Sequence, residues 1–359
     1  MILVDGHVLD GQPQGTSTYI VGLYSEIAKR DVAEVLLASA DEKSIERWFP
    51  EQGNIRWVPL PATNKYRRLA IQFDHLADKY NPDYMHFQYI TPLRKRSRWI
   101  NTVHDVLFLD IPQYFPLSYR VQNRLLFGIS ARRSDIVLTV SEYSRKAISR
   151  NFGISLNSIH VTPCGIDSIA RAEPVAIDGL RPGNFFVFVS RFEPRKNQHG
   201  LIQALRRTTA ALPEGFRLVL VGNAALRYPA LDAEIKAAGN LVLRLSNLSS
   251  GALTWLYRNA AASFYPSFAE GFGIPPLEAV VAGGRSYCAA NTAMLELADC
   301  VHGTFDASSI DEMTALMYTA LAGPSRESSE ALRNRALERY SWGHAADVLL
   351  SAIKSDLRS

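Results

Sequence analysis

Short apolar runs recur along the chain, separated by longer stretches in which apolar positions return every three or four residues. The runs at 2–4, 35–38, 55–58, 84–87, 100–103, 136–140 and 159–161 predict strands. The periodic stretches at 18–29, 66–79 and 119–133 predict helices between them. Strands alternating with helices predict an α/β fold with a mostly parallel sheet.

The rhythm breaks at 167–183, where Pro, Ala and Gly occur without periodicity, and this segment reads as a linker. A second strand series follows at 185–189, 218–221, 241–245, 263–265 and 286–289, again with helical patterns between. A last helical pattern at 342–354 carries Ala345, Val348, Leu349 and Ile353. The expected division is an N-terminal domain over 1–168, a C-terminal domain over 183–340 and an extra helix over 341–359. Parallel sheets bind ligands at the carboxyl ends of their strands. A cleft between two such domains would therefore be lined by residues that directly follow strands.

Composition narrows the class. A chain of 359 residues suits two cores, and 47% hydrophobic with 21% charged residues is the balance of a water-soluble globular protein. No stretch approaches the roughly 18 apolar residues of a membrane span. Asp5 falls where a signal peptide would have its apolar segment, so a cytoplasmic chain is expected. Cys164, Cys288 and Cys300 form no metal or disulfide pattern. A net charge of +4 does not argue for nucleic acid. Two basic clusters stand out in the first half: Lys65, Arg67 and Arg68 with Tyr66, and Arg94, Lys95, Arg96 and Arg98 with Trp99. Each suits a solvated face, or else contact with an anionic membrane or a phosphate-bearing acceptor.

The chemistry concentrates after strands. The segment 265–279 contains Glu270-Gly-Phe-Gly-Ile-Pro-Pro-Leu-Glu278. Gly271 and Gly273 permit a tight turn, while Pro275 and Pro276 suit the first turn of a helix that stops at Gly283-Gly284. The amides of Gly271, Phe272, Gly273 and Ile274 would then donate to an anion or hydroxyl. Glu270 in the loop and Glu278 in the first helical turn would accept from hydroxyls at two points of one ligand. After the strand at 185–189 come Arg191, Arg195 and Lys196, three cations in six residues that suit a diphosphate, with Asn197 as a cap for the next helix. Gly15 opens the first helix, as a phosphate loop or as a plain helix start. His104 follows the strand at 100–103 beside Asp105, and His86 and Gln88 follow or end the strand at 84–87. Ser141 reads as an N-cap with Glu142 behind it.

Together these segments resemble the family 4 retaining glycosyltransferases of the GT-B fold. The spaced-glutamate motif is matched by Glu270 and Glu278, the Arg/Lys pair by Arg191 and Lys196, and the histidine after an N-domain strand by Thr102-Val-His104-Asp105. The segments 140–144, 163–167, 253–260 and 339–342 also look like family segments. The resemblance implies two Rossmann-like domains facing across a cleft, with the C-terminal helix crossing back to the first domain. It implies that Glu270 and the amides of Phe272, Gly273 and Ile274 hold the donor sugar, and that Glu278 holds the ribose. Arg191 and Lys196 would neutralise the diphosphate, the Gly15 amide would reach the same phosphates, and His104 would lie by the reacting centre. Only one glycine, Gly15, stands where the family often has two, and Cys164 stands where asparagine is common.

The expected activity is transfer of a hexose, mannose by family frequency, from GDP-mannose or a UDP-hexose to a glycan or lipid-linked acceptor in polysaccharide biosynthesis. The expected route is retaining and metal-independent, since no Asp-x-Asp pair lies in a suitable loop. No cofactor beyond the nucleotide sugar is implied. The rivals are a sugar-nucleotide epimerase or hydrolase and a non-catalytic sugar-nucleotide-binding subunit. A dinucleotide oxidoreductase is disfavoured because no Gly-x-Gly-x-x-Gly follows the first strand.

Overall fold

Runs rich in Val, Ile, Leu and Phe, too short for helices and bounded by turn residues, become strands buried on both faces, as parallel sheets require. The computed structural model describes residues 1–359 apart from 12–13, 51–53, 62–63, 225, 324–326 and 359. It divides into two units. One comprises Met1–Gly165 with Ser341–Ser359, the other Ile166–Tyr340.

In the first unit β1 (Ile2–Asp5), β2 (Val35–Ser39), β3 (Ile55–Pro59), β4 (Tyr84–Gln88), β5 (Arg98–Thr102), β6 (Ile136–Thr139) and β7 (Ile159–Val161) form one sheet. Its order is β3-β2-β1-β4-β5-β6-β7 and every pairing is parallel. Trp99, Phe73 and Phe87 fill the core on one face, and Phe127, Ile148 and Phe152 pack in a second cluster. In the second unit β8 (Phe185–Val189), β9 (Arg217–Val221), β10 (Val242–Leu245), β11 (Ala262–Tyr265), β12 (Ser286–Ala289) and β13 (Gly303–Phe305) are ordered β10-β9-β8-β11-β12-β13, again all parallel. Each sheet therefore starts in its middle and reverses direction once, between β1 and β4 and between β8 and β11. These reversals are the doubly wound pattern in which ligands lie beyond the strand ends.

The sequence reading differs from this structure at two places. The segment at 167–183 is not structureless: Asp167–Arg171 forms a short helix, and the Val175 amide donates to Gly251 O at 3.0 Å. Five residues are too few to display helical periodicity. The strand β13 was not predicted, because three residues carry no alternation.

The helix Trp342–Asp356 packs on the first unit. Its first residue, Trp342, is buried over two glycines. A Cβ on Gly22 would stand 2.0 Å from Trp342 Cε2, and one on Gly165 would stand 2.5 Å from the Trp342 nitrogen. Farther along the helix, Arg30 meets Asp347 at 2.5 Å and Gly343 O at 2.9 Å. At its end, Tyr84 and Arg98 both donate to the Asp356 carboxylate, at 2.6 and 3.2 Å. Trp342 is thus the largest apolar contact of this helix end. Trp342→Ala is expected to lower unfolding free energy by about 3–5 kcal/mol through the cavity left behind. Urea denaturation measures this, and a loss within about 1 kcal/mol would show that the ion pairs, not the indole, hold the helix.

Candidate functional site

Because β8 and β11 are neighbours that lead into different sides of the second sheet, the loops after them must diverge and leave a crevice. The loop after β8 runs through Arg191 into a 3-10 turn, Pro194–Lys196, and then the helix Gln198–Arg207. The loop after β11 runs through Glu270 into the helix Ile274–Val281.

The two loops are bonded through one carboxylate. Lys196 Nζ donates to Glu270 Oε1 at 2.5 Å, and Arg195 Nη1 donates to Glu270 Oε2 at 3.0 Å. Arg195 also donates to Ala269 O at 2.9 Å and pairs with Glu193 at 2.8 Å. The backbone is pinned as well: Phe268 N donates to Arg195 O at 2.8 Å, and Glu270 N to Thr292 Oγ1 at 3.0 Å. Burial alone would raise the Glu270 pKa, but the Lys196 and Arg195 cations outweigh it and hold the carboxyl at about 2. Arg191 differs: its side chain is exposed and makes no ion pair among the described residues.

Beyond Glu270 the chain turns at Gly273, whose φ of 119° is open to glycine, while Gly271 does not need a positive φ. A Cβ on Gly273 would also stand 2.9 Å from Leu297 Cδ1. Pro275 and Pro276 occupy the first helical turn, where an N–H would have no helical partner. The amides of Phe272, Gly273 and Ile274 meet no acceptor among the described residues. Helix formation begins at Ile274, so Glu278 lies one turn inside, not in the first turn as the sequence suggested. There it accepts from Tyr257 OH at 3.0 Å, and burial raises its pKa. Asn197 holds the N-cap position in a left-handed conformation, but its side chain caps nothing; it donates to Ala307 O at 2.7 Å.

The first unit places His104 just beyond β5, in a different setting. Its Nε2 donates to Gln88 Oε1 at 2.5 Å, which leaves Nδ1 as the acceptor nitrogen of a neutral ring. Gln88 leads on to His86, whose Nδ1 meets Tyr24 OH at 2.6 Å and whose Nε2 meets Thr102 Oγ1 at 2.8 Å. Burial holds both histidines at about 3, so neither is an imidazolium at neutral pH. Asp105, which the sequence set beside His104, accepts from the Leu107 amide at 3.1 Å. At the β1–β4 reversal, buried Asp5 accepts from His7 Nδ1 at 2.8 Å and faces Arg68 Nε at 3.3 Å. Gly15 is the first residue of the helix Gly15–Lys29, preceded by Gln14, whose N–H donates to Ser17 Oγ at 2.9 Å. Ser141 is an N-cap, accepting from the Ser144 amide at 3.1 Å.

Within the second unit the structure brings Lys196 and Glu270 together and sets Glu278 on the helix that follows. The sequence reading missed Tyr257 and Thr292 and gave Arg195 no role at Glu270. It also did not see that His104 rests on Gln88. Arg195 carried a signal, being the middle cation of three, but nothing in the spacing says which cation a distant carboxylate will choose.

Residues 179–336 match the family Glycosyl transferases group 1, and residues 13–168 match Glycosyltransferase Family 4. The chain is 27% identical to the O-antigen chain mannosyltransferase B of Escherichia coli over 72% of this chain and 70% of that protein. It is 31% identical to the O-antigen chain mannosyltransferase RfbU of Salmonella typhimurium over 50% of this chain and 48% of that protein. Among solved structures, Anabaena HepE in complex with UDP and glucose superposes with a TM-score of 0.74 at 16% identity, over 99% of both chains. At that identity the match shows the fold alone, which is GT-B.

The Glu270 pKa links the site to stability. A carboxyl held at about 2, against an ordinary 4.5, contributes stability that is fully present above pH 4.5 and is lost as pH falls towards 2. Glu270→Gln should be less stable than wild type by about 3 kcal/mol at neutral pH, because buried Lys196 loses its counter-charge and Arg195 one of its two. That gap should close between pH 4.5 and 2 in urea titrations. A gap constant over this window would mean that Glu270 is not the titrating group.

Proposed function

We propose that this chain, which belongs to the glycosyl transferases group 1, moves a mannosyl residue from GDP-mannose to a glycan or lipid-linked glycan during surface-polysaccharide assembly. A UDP-hexose is the second candidate donor. The observation that carries the reading is the cation group at the β8–β11 reversal, in which Lys196 is already engaged and Arg191 stands exposed.

The donor diphosphate is received by Arg191 and Lys196, with the Gly15 amide a further phosphate contact. Glu270 and the amides of Phe272, Gly273 and Ile274 take the sugar hydroxyls, and Glu278, oriented by Tyr257, takes the ribose. His104 accepts from a hydroxyl through Nδ1. The acceptor oxygen approaches the anomeric carbon on the face that the diphosphate leaves. As the carbon–phosphate-oxygen bond breaks, the departing phosphate takes the hydroxyl proton, so configuration is retained. Cations stabilise the leaving charge in place of a metal. A lipid-linked acceptor sets the work at the cytoplasmic face of a membrane. Among the described residues no helix is long and apolar enough to cross one.

Arg191→Ala should lower kcat/KM about 10²–10³-fold, the usual loss when a transition-state charge partner is removed. It should leave the melting temperature unchanged, because Arg191 is exposed and unpaired among the described residues. Lys196→Ala should lose both turnover and stability, because it strips Glu270 of a partner. Wild-type rates in Arg191→Ala would sink the diphosphate assignment. Thermal-shift titration with GDP, UDP and their sugars identifies the donor. NMR of the anomeric proton should show a retained α product, unchanged by EDTA. Equal donor consumption with no acceptor would favour an epimerase or hydrolase instead.

A further inference from the structure

Carboxylates match every cation of the second basic cluster, but only Arg68 of the first among the described residues. Arg94, Lys95, Arg96 and Arg98 each face a carboxylate: Asp74, Asp135, Asp78 and Asp356. Trp99 is fully buried and Arg68 turns inward to Asp5. The helix Leu117–Arg133 shows something else. Leu117, Val121, Leu125 and Ile129, four residues apart, are 67, 64, 60 and 39% exposed. A helix on a soluble domain turns polar residues outward. This one carries an apolar stripe about 18 Å long on its solvent side, while Asn123, Phe127 and Ser130 on the opposite side are buried.

The charge on the helix is one-sided. It contains Arg120, Arg124, Arg132 and Arg133 and no Asp or Glu. Helical spacing puts Arg124 beside the stripe, three residues from Val121 and seven from Leu117, and it is exposed, whereas Arg132 turns back to donate to Phe152 O at 3.0 Å. No carboxylate pairs with Arg124, nor with Lys65 or Arg67, among the described residues. The short helix Lys65–Arg67 belongs to the same face, because Gln122 Nε2 donates to the exposed Tyr66 hydroxyl at 2.7 Å.

We propose that the Leu117–Arg133 helix is an interfacial element that lays this stripe into an anionic phospholipid surface, with Arg124 among the headgroups and Lys65 and Arg67 beside it. An apolar face framed by cations is what such a surface selects. A second copy fits less well, because a two-fold contact through this face would set arginines against arginines with no carboxylate on the helix to separate them. The proposal rests on the lipid-linked acceptor reading for its biological sense, but not for its test.

The test is flotation of the full chain with phosphatidylcholine vesicles, alone or with roughly one-third phosphatidylglycerol. Wild type should float with the anionic vesicles only, and at least tenfold less of it should float at about 1 M salt, where the Debye length is about 3 Å. Leu125→Asp and Arg124→Glu should each cut binding at least tenfold while leaving the thermal shift with nucleotide unchanged, which shows that the fold survives. Equal flotation of wild type and both variants would overturn the proposal. So would a concentration-dependent dimer that Leu125→Asp abolishes. Transfer to a water-soluble acceptor is scored separately: its absence with vesicle binding intact condemns the transferase reading and not the surface.

Discussion

Buried Lys196 and the part-buried Arg195 and Glu270 hold the second unit's site together. Lys196 and Arg195 come from the loop after β8, and Glu270 comes from the loop after β11. Burial and the neighbouring Arg195 cation both work against the charged form of Lys196, and Glu270 opposes them. The carboxylate and the two cations therefore gain from staying adjacent, which ties the two loops together. The backbone bonds from Phe268 to Arg195 and from Glu270 to Thr292 follow the same seam. Glu270 is the internal counter-ion of two adjacent cations.

The same strand reversal in the first unit carries different chemistry because different residues follow the strands. Asp5, at the end of β1, is matched by His7 and Arg68, while Tyr24, His86, Gln88 and His104 form a run of neutral hydrogen-bonding groups. A histidine held neutral by burial is a poor source of protons at neutral pH and a good oriented acceptor. The second unit gathers three cations and two carboxylates at its reversal, whereas the first sets one carboxylate with its partners beside a neutral hydrogen-bonded run. One topology supports both, since the sheet order fixes where loops diverge and the loop sequences decide what they hold.

Much of this was legible in the sequence. Every predicted strand forms, and both sheets are parallel, because β-branched and aromatic runs flanked by glycine and proline leave little else to form. What was not legible depends on partners far away in the chain. Arg94, Lys95, Arg96 and Arg98 look like one patch in sequence, yet they face four different carboxylates from three parts of the chain. The 119–133 pattern predicted a helix correctly, but periodicity does not reveal which of its two apolar faces meets the core. Glu278 was set one turn too early, because two prolines mark a helix start only to within a residue or two.

The charge balance of the second unit's site bears on how a diphosphate could be held there. Arg195 and Lys196 are balanced by Glu193 and Glu270, and Arg191, unpaired among the described residues, leaves one formal positive charge. That is less than a diphosphate carries, so side chains alone would not neutralise it. The start of the Ile274–Val281 helix would add its positive dipole end to that balance, while its amides at Phe272, Gly273 and Ile274, which meet no acceptor among the described residues, stay with the sugar hydroxyls. Gly273 then has two duties. Its left-handed turn aims these amides, and its missing Cβ keeps the turn seated against Leu297. A side chain there would strain the backbone and push the turn outward, moving the amides while leaving every charged residue in place.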